Sequence, residues 1–339
     1  MHSDHFPYPV GLLLFNRPEY SIQLLRALQE QTCKPDEIYI HVDGYSGSRD
    51  QEEGRPNFQN LTLRYIQEEF PKAKITIEER NLGIARSWNS LEQVVFDSTL
   101  ASAAQFFESD FLPSKHYLEL IKKLFEEIGH HQTIASLSLV GAHKNYGFKR
   151  ESLVNSWGTK AVFLKRSHYE ERMPFILQYL KLMEGIPYGQ RDSEKILSYF
   201  QDMGIYLNGT SQDHFKIGML EHFNRLQLST HESYGKDLGR FGFSRKISKE
   251  LDDLSKMNID SDFGTPPKDI KIRFNAAILL RDFKLGFFSA ILEKQHFLPV
   301  KLKLTYRVLI LIRLYFKKFK FLNMIVGVLR RFERNIRAL

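Results

Sequence analysis

The sequence predicts an α/β protein with a mostly parallel sheet flanked by helices. Short apolar runs of the kind found in buried parallel strands alternate with segments of helical spacing through the first part of the chain. That alternation is typical of consecutive strand–helix units. The 339 residues, 42% of them hydrophobic and 26% charged, suffice for one large globular domain with an appendage, or for two domains.

The elements of the first half follow from apolar runs, turn residues and helix starts. Pro18 opens the first helix, because proline is favoured in a first helical turn. The polar residues 45–56 predict a loop. In chain order we expect a strand at 10–15, a helix at 18–31, a strand at 37–42, a helix at 58–70, a strand at 74–78, a helix at 84–96 and a strand at 103–107.

The second half is less regular. We expect Ser114 and Ser211 each to cap the helix that follows, because a serine hydroxyl accepts a hydrogen bond from an amide of the first turn. A glycine-rich loop is expected after the last strand. The predicted helices are 115–128, 167–183, 191–203 and 212–224, and the predicted strands are 134–140, 161–164 and 225–228.

Charge and cysteine content exclude several classes of protein. The net charge is +8, yet residues 301–339 carry eleven Lys and Arg against one acid, so the rest of the chain is slightly acidic. This distribution fits a two-part protein without a basic nucleic-acid groove, and no nucleic-acid partner is expected. Cys33 is the only cysteine, which excludes an internal disulfide and a cysteine-based zinc site.

Two common nucleotide-binding motifs are missing from the chain. No Gly-x-Gly-x-x-Gly follows the first predicted strand, and no P-loop is present. Their absence disfavours NAD enzymes and P-loop NTPases.

A pair of carboxylates carries the strongest chemical signal. An apolar run ends in Glu108 and Asp110, and residues spaced in this way on a strand point to the same side. Oxygen ligands suit a hard divalent cation, and such a cation often holds a diphosphate. The alternative is an acidic loop that only caps the following helix.

Polar residues also follow each of the other predicted parallel strands. Arg17 comes after the first, Asp43 after the second and Asn81 after the third. Ligands of such sheets bind beyond the carboxyl ends of the strands. We therefore expect these residues and the carboxylate pair to line one site.

Six short segments, in their order and spacing, resemble the GT-A glycosyltransferases. Within that group they are most similar to the inverting enzymes of the N-acetylglucosaminyltransferase I type and to family 2-like bacterial enzymes. The resemblance runs from about residue 9 to residue 242 and implies a GT-A fold, a nucleotide-sugar donor and a saccharide acceptor. The segments that carry it are residues 14–18, 42–44, 81–86, 107–110, 156–158 and 212–214.

The resemblance implies a role for each matched residue. Asp110 matches the aspartate that binds Mn²⁺ or Mg²⁺, and Glu108 matches an acid near the donor sugar. Ser109 departs from the family's acidic middle residue, which puts a donor-sugar or ribose contact in question more than the metal. The other matches are Arg17 and Asp43 as nucleotide contacts, Arg86 and Ser87 near the donor, and Trp157 and Gly158 at the border of the acceptor site.

Asp213 matches the family's catalytic base. A carboxylate within hydrogen-bond reach can take the proton of an acceptor hydroxyl as that hydroxyl attacks the anomeric carbon. One base and one displacement imply inversion. The alternative for Asp213 is a structural role, because a negative charge in the first turn of a helix is favourable in itself.

The chain is expected to divide into a catalytic part and a basic tail. The catalytic domain covers residues 1–244, with a nucleotide-sugar half to about residue 112 and an acceptor half at 113–244; residues 245–298 are a connector and helical extension. Residues 299–339 mix apolar residues with Lys and Arg but contain no uninterrupted transmembrane stretch. We expect basic amphipathic helices on an anionic membrane surface or, alternatively, helices packed on the catalytic domain or a partner subunit.

Together these features predict a metal-dependent inverting glycosyltransferase of bacterial surface polysaccharide or lipopolysaccharide assembly. It would transfer a sugar, most simply from a UDP-sugar, to a saccharide or lipid-linked glycan. Since the N-terminal residues lack a secretory signal, we expect a cytoplasmic protein, peripheral on the inner face of the membrane. Two alternatives are a nucleotidyltransferase of sugar activation and a catalytically inactive, membrane-associated scaffold with the same fold.

Overall fold

The structure is a computed structural model that describes residues 5–141, 153–155, 159–184, 186, 190–230 and 233–239. These residues belong to one compact unit, Met1–Phe274, and the second unit, Asn275–Leu339, lies outside the described residues. The predicted connector at 245–298 and the basic helices at 299–339 therefore also lie outside them. The predicted boundary at residue 244 stays a prediction.

The described chain contains helices and strands in alternation. The strands are β1 (His5–Phe6), β2 (Val10–Leu14), β3 (Lys34–Pro35), β4 (Ile38–Val42), β5 (Lys74–Ile77), β6 (Ala103–Glu108), β7 (Phe111–Pro113), β8 (Ile134–Ser138), β9 (Leu153–Asn155), β10 (Ala161–Lys165), β11 (Leu226–Thr230) and β12 (Gly235–Asp237). The helices are α1 (Pro18–Gln29), α2 (Arg49–Glu52), α3 (Gln59–Glu69), α4 (Ile84–Ser98), α5 (Tyr117–Ile128), α6 (Arg166–Leu182), α7 (Ser193–Asp202) and α8 (Gln212–His222).

An 8-stranded sheet forms the centre, in the order β5-β4-β2-β6-β10-β8-β11-β9. Strands β5, β4, β2 and β6 are parallel to one another. Strand β10 is antiparallel to both of its neighbours, β8 and β11 are parallel, and β9 is antiparallel to β11. The predicted α/β class with a mostly parallel sheet flanked by helices is confirmed.

The register of the parallel strands brings their carboxyl ends to one edge. Strand β2, with the sequence VGLLL, is buried along its whole length, as expected for a central strand covered on both faces. Leu14 pairs with Val42, and Leu13 pairs with Glu108. The residues that follow β2, β4 and β6 are therefore neighbours.

Two apolar clusters hold the elements that carry the site. The first packs α4 on the sheet, with Trp88 and Val95 against Phe106. The second joins α6, α7 and α8 through Tyr179, Phe200 and Phe215, which are fully buried or nearly so. Because α8 carries Asp213 in its first turn, this second cluster fixes where that carboxylate lies.

Ser211 caps α8 as predicted, since its Oγ accepts a hydrogen bond from the His214 amide. The expected Ser114 cap is wrong: α5 has no side-chain cap, and Ser114 Oγ is buried without a hydrogen-bond partner. Gln31 takes this role, because its Oε1 accepts a hydrogen bond from the Leu118 amide at 3.0 Å.

The loop expected at residues 45–56 contains the short helix α2, which the sequence reading missed. Ser48 caps this helix by accepting a hydrogen bond from the Gln51 amide at 3.2 Å. Asp50 inside it is buried and accepts a hydrogen bond from Asn16 Nδ2 at 2.9 Å. The composition of this segment is typical of a loop, and the hydrogen bond between Asp50 and Asn16 joins its short helix to the turn after β2.

Within the described part of the chain, no helix is long and apolar enough to cross a lipid bilayer.

Candidate active site

Asp43 organises the edge of the sheet after β4. Its Oδ1 accepts hydrogen bonds from the amides of Leu82 at 2.7 Å and Gly44 at 2.9 Å, and its Oδ2 accepts from the Gly83 amide and from Asn81 Nδ2. Burial raises the pKa of the Asp43 carboxyl, and these amides partly offset that effect. Asp43 therefore joins the end of β4 to the turn before α4.

Gly44 shows how closely these segments approach. A Cβ at this position would overlap the backbone of Arg80. Asp43 and Asn81 do meet at this edge of the sheet, through the hydrogen bond from Asn81 Nδ2, whereas the predicted nucleotide contact of Asp43 stays a prediction.

Glu108 is the last residue of β6. Its Oε1 accepts a hydrogen bond from Trp88 Nε1 at 3.1 Å. Burial, followed by the nearby carboxylates of Asp110 and Asp213, raises the pKa of Glu108 to about 7, while Lys160 and the Trp88 hydrogen bond act in the opposite direction. Two carboxylates from the end of β6 and one from α8 therefore lie close enough to interact electrostatically.

Asp110 lies in the short turn between β6 and β7, so the strand alternation that was expected to align it with Glu108 does not extend to it. The expected reason for its proximity to Glu108 is therefore wrong, although the two carboxylates do lie near each other. Asp110 Oδ1 is buried and has no hydrogen-bond partner. A buried oxygen of this kind is costly unless a ligand satisfies it.

The second oxygen of Asp110 faces two cations. Lys160 Nζ lies 3.1 Å from Asp110 Oδ2, and Arg17 Nη1 lies 3.6 Å from the same oxygen. Arg17 Nη2 also donates to Ser109 Oγ at 3.3 Å. The ammonium of Lys160 is shared with Asp237, whose Oδ1 lies 2.7 Å away.

Asp213 approaches from α8. Its Oδ1 is buried and has no hydrogen-bond partner, and its charge acts on Glu108 and on Lys216. The site therefore contains two carboxylate oxygens, one on Asp110 and one on Asp213, that are buried and unsatisfied. Unsatisfied buried polar atoms are uncommon in folded proteins and are frequent where a ligand binds.

A buried cluster of charged residues, Lys216, Glu92 and Arg172, packs against Trp88. Lys216 Nζ lies 4.2 Å from the centroid of the Trp88 ring and 3.2 Å from Glu92 Oε1. Arg172 pairs with the other oxygen of Glu92. Because Lys216 and Asp213 lie on the same helix, this cluster couples the position of α8 to that of Trp88 and Glu108.

The remaining predicted residues are placed as follows. Ser87 is buried near Asp43. Arg86 donates to the Leu180 carbonyl at 3.3 Å and pairs with Glu184 at 3.1 Å, so it links α4 to the end of α6. Its predicted donor contact is not part of this arrangement and stays a prediction. Trp157 and Gly158, predicted at the acceptor border, lie outside the described residues.

The site fits a divalent cation that takes few protein ligands. In the described residues, no three His, Cys, Asp or Glu side chains converge to hold a metal by themselves. Mg²⁺ and similar ions are commonly held by one or two carboxylates, with substrate phosphates and water completing the shell. The unpartnered Oδ1 of Asp110 is a suitable ligand of that kind.

Sequence reasoning missed Lys160, Asp237 and the Trp88–Glu108 hydrogen bond. Lys160 precedes β10, whose antiparallel pairing with β6 places Ala161 opposite Phe107. That pairing is non-local, and the local sequence carries no signal for it. For Trp88 a signal did exist, because a buried indole N–H normally finds an acceptor.

Comparisons with known proteins give only distant likenesses. No family model and no curated protein matches the chain. Among solved structures it is similar to the mannosyltransferase PcManGT from Pyrobaculum calidifontis in complex with GDP-Man and Mn²⁺, with a TM-score of 0.35 and 16% identity over 57% of this chain and 52% of that one.

It is also similar to S. aureus TarS 1–349 in complex with UDP, with a TM-score of 0.37 and 14% identity over 68% of this chain and 59% of that one. The chain thus spans little more than half of each of these proteins. Both TM-scores lie below 0.5, so neither likeness carries a conclusion about the function of this chain.

Proposed function

We propose that the protein is a metal-dependent inverting glycosyltransferase that uses a nucleotide-sugar donor. The observation that carries this proposal is the convergence of Glu108, Asp110 and Asp213 at the carboxyl edge of a parallel sheet, with buried and unpartnered oxygens on Asp110 and Asp213. Ligands of such sheets bind at this edge. The resemblance of the sequence segments to GT-A enzymes, described above, adds to it.

The proposed donor site uses the residues after β2, β4 and β6. Asp110 would hold Mn²⁺ or Mg²⁺, which when bound supplies positive charge to the leaving diphosphate. Arg17, whose guanidinium already faces Asp110, would contact the nucleotide diphosphate. Asp43, Arg86 and Ser87 would shape the nucleotide side of the pocket, and a UDP-sugar is the donor we expect.

Asp213 is the proposed base. Its unpartnered Oδ1 is available to accept the proton of a saccharide hydroxyl, and Trp157 and Gly158 would border the acceptor. Glu108 interacts electrostatically with both Asp110 and Asp213, so its proposed place is beside the donor sugar. A single displacement with one base gives inversion at the anomeric carbon.

The rival functions differ in the residues that they need. A nucleotidyltransferase would use a glycine-rich loop with Arg or Lys after the first strand, and residues 15–18 here read Phe-Asn-Arg-Pro. An inactive scaffold would not need both Asp110 and Asp213. The glycosyltransferase is therefore the better supported of the three.

The acceptor and the location belong to the same proposal. We infer a saccharide or lipid-linked glycan of bacterial surface polysaccharide assembly as acceptor. Residues 299–339 would hold the protein on the anionic inner face of the membrane, where such an acceptor is found.

A thermal-shift panel tests the donor site. The full chain is heated with UDP, GDP, CMP or dTDP and their common sugars, with Mn²⁺ or with EDTA, because a ligand of the native state raises the melting temperature. We expect one nucleotide to give a Mn²⁺-dependent shift that Asp110→Asn loses. Asp202→Asn, an exposed substitution on α7, is the matched control and should keep the shift. No shift with any nucleotide would contradict the proposal.

A further inference from the structure

Asp237 and Lys160 adjoin the proposed metal ligand Asp110 and have no role in the function proposed for the site. Asp237 is the last residue of β12, which pairs antiparallel with β7 so that Asp237 lies opposite Phe111. The Leu238 amide donates to the Asp110 carbonyl at 2.8 Å. Strand pairing and this hydrogen bond therefore hold Asp237 beside Asp110.

Both carboxylates share one cation. Lys160 Nζ lies 2.7 Å from Asp237 Oδ1 and 3.1 Å from Asp110 Oδ2. Both carboxylates are therefore within ion-pair distance of the same ammonium. A positive charge between two carboxylate oxygens is what this arrangement stabilises.

Gly239 and the buried Asp110 side chain leave little space around the Lys160 ammonium. A Cβ at Gly239 would lie within 3.0 Å of Asp110 Oδ2, Lys160 Nζ and Asp237 Oδ1, so a larger residue here would have to displace these three groups. The Asp110 side chain is 9% exposed, and its Oδ1 has no hydrogen-bond partner. That buried oxygen needs a ligand beyond the ammonium, which engages Oδ2.

We propose that Asp110 and Asp237 together form a two-carboxylate site for a divalent cation, and that the Lys160 ammonium holds this site until the cation displaces it. Asp237 then supplies a second protein ligand, and Lys160 is a competitor that prevents two carboxylates from facing each other uncompensated. The inference rests on the proposed function only for the choice of a divalent ion.

Charge explains why an ion would displace the ammonium. A divalent ion brings two positive charges to the two carboxylates, whereas the ammonium brings one. It can also use the unpartnered Oδ1 of Asp110. Lys160 has a long, flexible side chain, so its head group can move without a change in the backbone.

Mn²⁺ binding to the full chain, without nucleotide, tests the inference. The electron paramagnetic resonance signal of free aqueous Mn²⁺ falls as the ion binds, which gives the Kd. We expect Asp237→Asn to weaken binding by about tenfold or more, since loss of even an outer-shell partner of a metal ligand commonly costs that much affinity. The asparagine keeps Oδ1, which accepts the Gly239 amide at 2.8 Å, so the turn should be retained.

Lys160→Met gives the opposite expectation, because it removes the competitor and should tighten Mn²⁺ binding. The matched controls Asp202→Asn and Lys195→Met change exposed residues on α7 and should keep the wild-type Kd. Three results would overturn the inference. The first is a Kd for Mn²⁺ that is the same in Asp237→Asn as in Asp202→Asn. The second is a Kd in Lys160→Met that is no lower than in Lys195→Met, and the third is no Mn²⁺ binding by any variant.

Failure of the proposed function looks different. Mn²⁺ bound through Asp110 and Asp237, with no nucleotide shifting the melting temperature, would support the cation site and contradict the glycosyltransferase. If a nucleotide raises the melting temperature only with Mn²⁺, but Asp237→Asn keeps the wild-type Kd for Mn²⁺, the glycosyltransferase is supported and the two-carboxylate cation site is contradicted.

Discussion

His41 is buried in strand β4, and neither of its ring nitrogens has a hydrogen-bond partner. The nearest carboxylate oxygen in an ion pair, on Glu78, is 3.9 Å from Nδ1. Burial lowers the pKa of His41 to about 4, from the 6.5 of an exposed histidine. The folded protein therefore keeps this side chain neutral where the unfolded chain takes up a proton.

Acid should consequently destabilise the protein through His41. The stabilising contribution is complete above pH 6.5 and is lost as the pH falls towards 4, because only the unfolded state binds the proton in that window. Between those pH values the wild type should lose about 3 kcal/mol more unfolding free energy than His41→Leu, measured by urea denaturation. His130→Leu, at an exposed position, serves as control, and a His41→Leu profile parallel to wild type would refute the assignment.

At the residue scale, the sequence predicted carboxylates better than cations. Asp110 and Asp213 stand out locally, because one ends an apolar run and the other follows a serine cap. Lys160 and Asp237 reach the same place only through the pairing of β10 with β6 and of β12 with β7. Such pairings join residues far apart in the chain, and local patterns do not encode them.

At the scale of elements, Gln31 connects α1 to the start of α5. Its Nε2 donates to the carbonyls of Ser114 at 2.7 Å and Ala27 at 3.0 Å, and its Oε1 accepts from the Leu118 amide. The residue is 1% exposed. Gln31 thus provides, from another part of the chain, a hydrogen-bond acceptor for an amide in the first turn of α5, which the Ser114 side chain does not provide.

Gln31→Ala should therefore lower the unfolding free energy by about 2 kcal/mol or more, because it leaves buried backbone groups without partners. Chemical denaturation measures this difference. Gln29→Ala removes the same side chain from an exposed position of α1 and should change the free energy by less than about 0.5 kcal/mol. Equal effects of the two substitutions would show that Gln31 is not the cap of α5.

Most long elements were predictable because their apolar spacing is strong. The helix expected at 84–96 is α4, Ile84–Ser98, and the strand expected at 37–42 is β4, Ile38–Val42. The short elements α2 and β12 were not predictable. They depend on tertiary partners, Asn16 for the one and β7 for the other, and their own residues are typical of loops.

At the scale of the whole molecule, the chain's excess positive charge lies in residues 299–339. If these residues bind an anionic membrane surface, each lysine contributes about 1 kcal/mol. Replacing Lys317, Lys318 and Lys320 by Gln in the full chain should then weaken binding to phosphatidylserine vesicles by about a hundredfold. Vesicle sedimentation measures this change.

The matched control neutralises three exposed lysines outside the tail, Lys34, Lys72 and Lys195. It should leave vesicle binding close to wild type. Two results would favour the alternative in which the tail packs on protein. One is wild-type binding to neutral phosphatidylcholine vesicles as strong as to phosphatidylserine vesicles. The other is a loss of binding in the control as large as in the tail variant.

Turnover of the donor tests the central claim most directly. The nucleotide sugar with the largest Mn²⁺-dependent thermal shift is incubated with the full chain and a panel of simple saccharides, and release of the nucleotide is measured. We expect release by the wild type and by Asp202→Asn, and a rate lower by about 10²–10⁴-fold in Asp213→Asn with its thermal shift retained. Binding without release by the wild type, or an Asp213→Asn rate equal to wild type, would contradict the account.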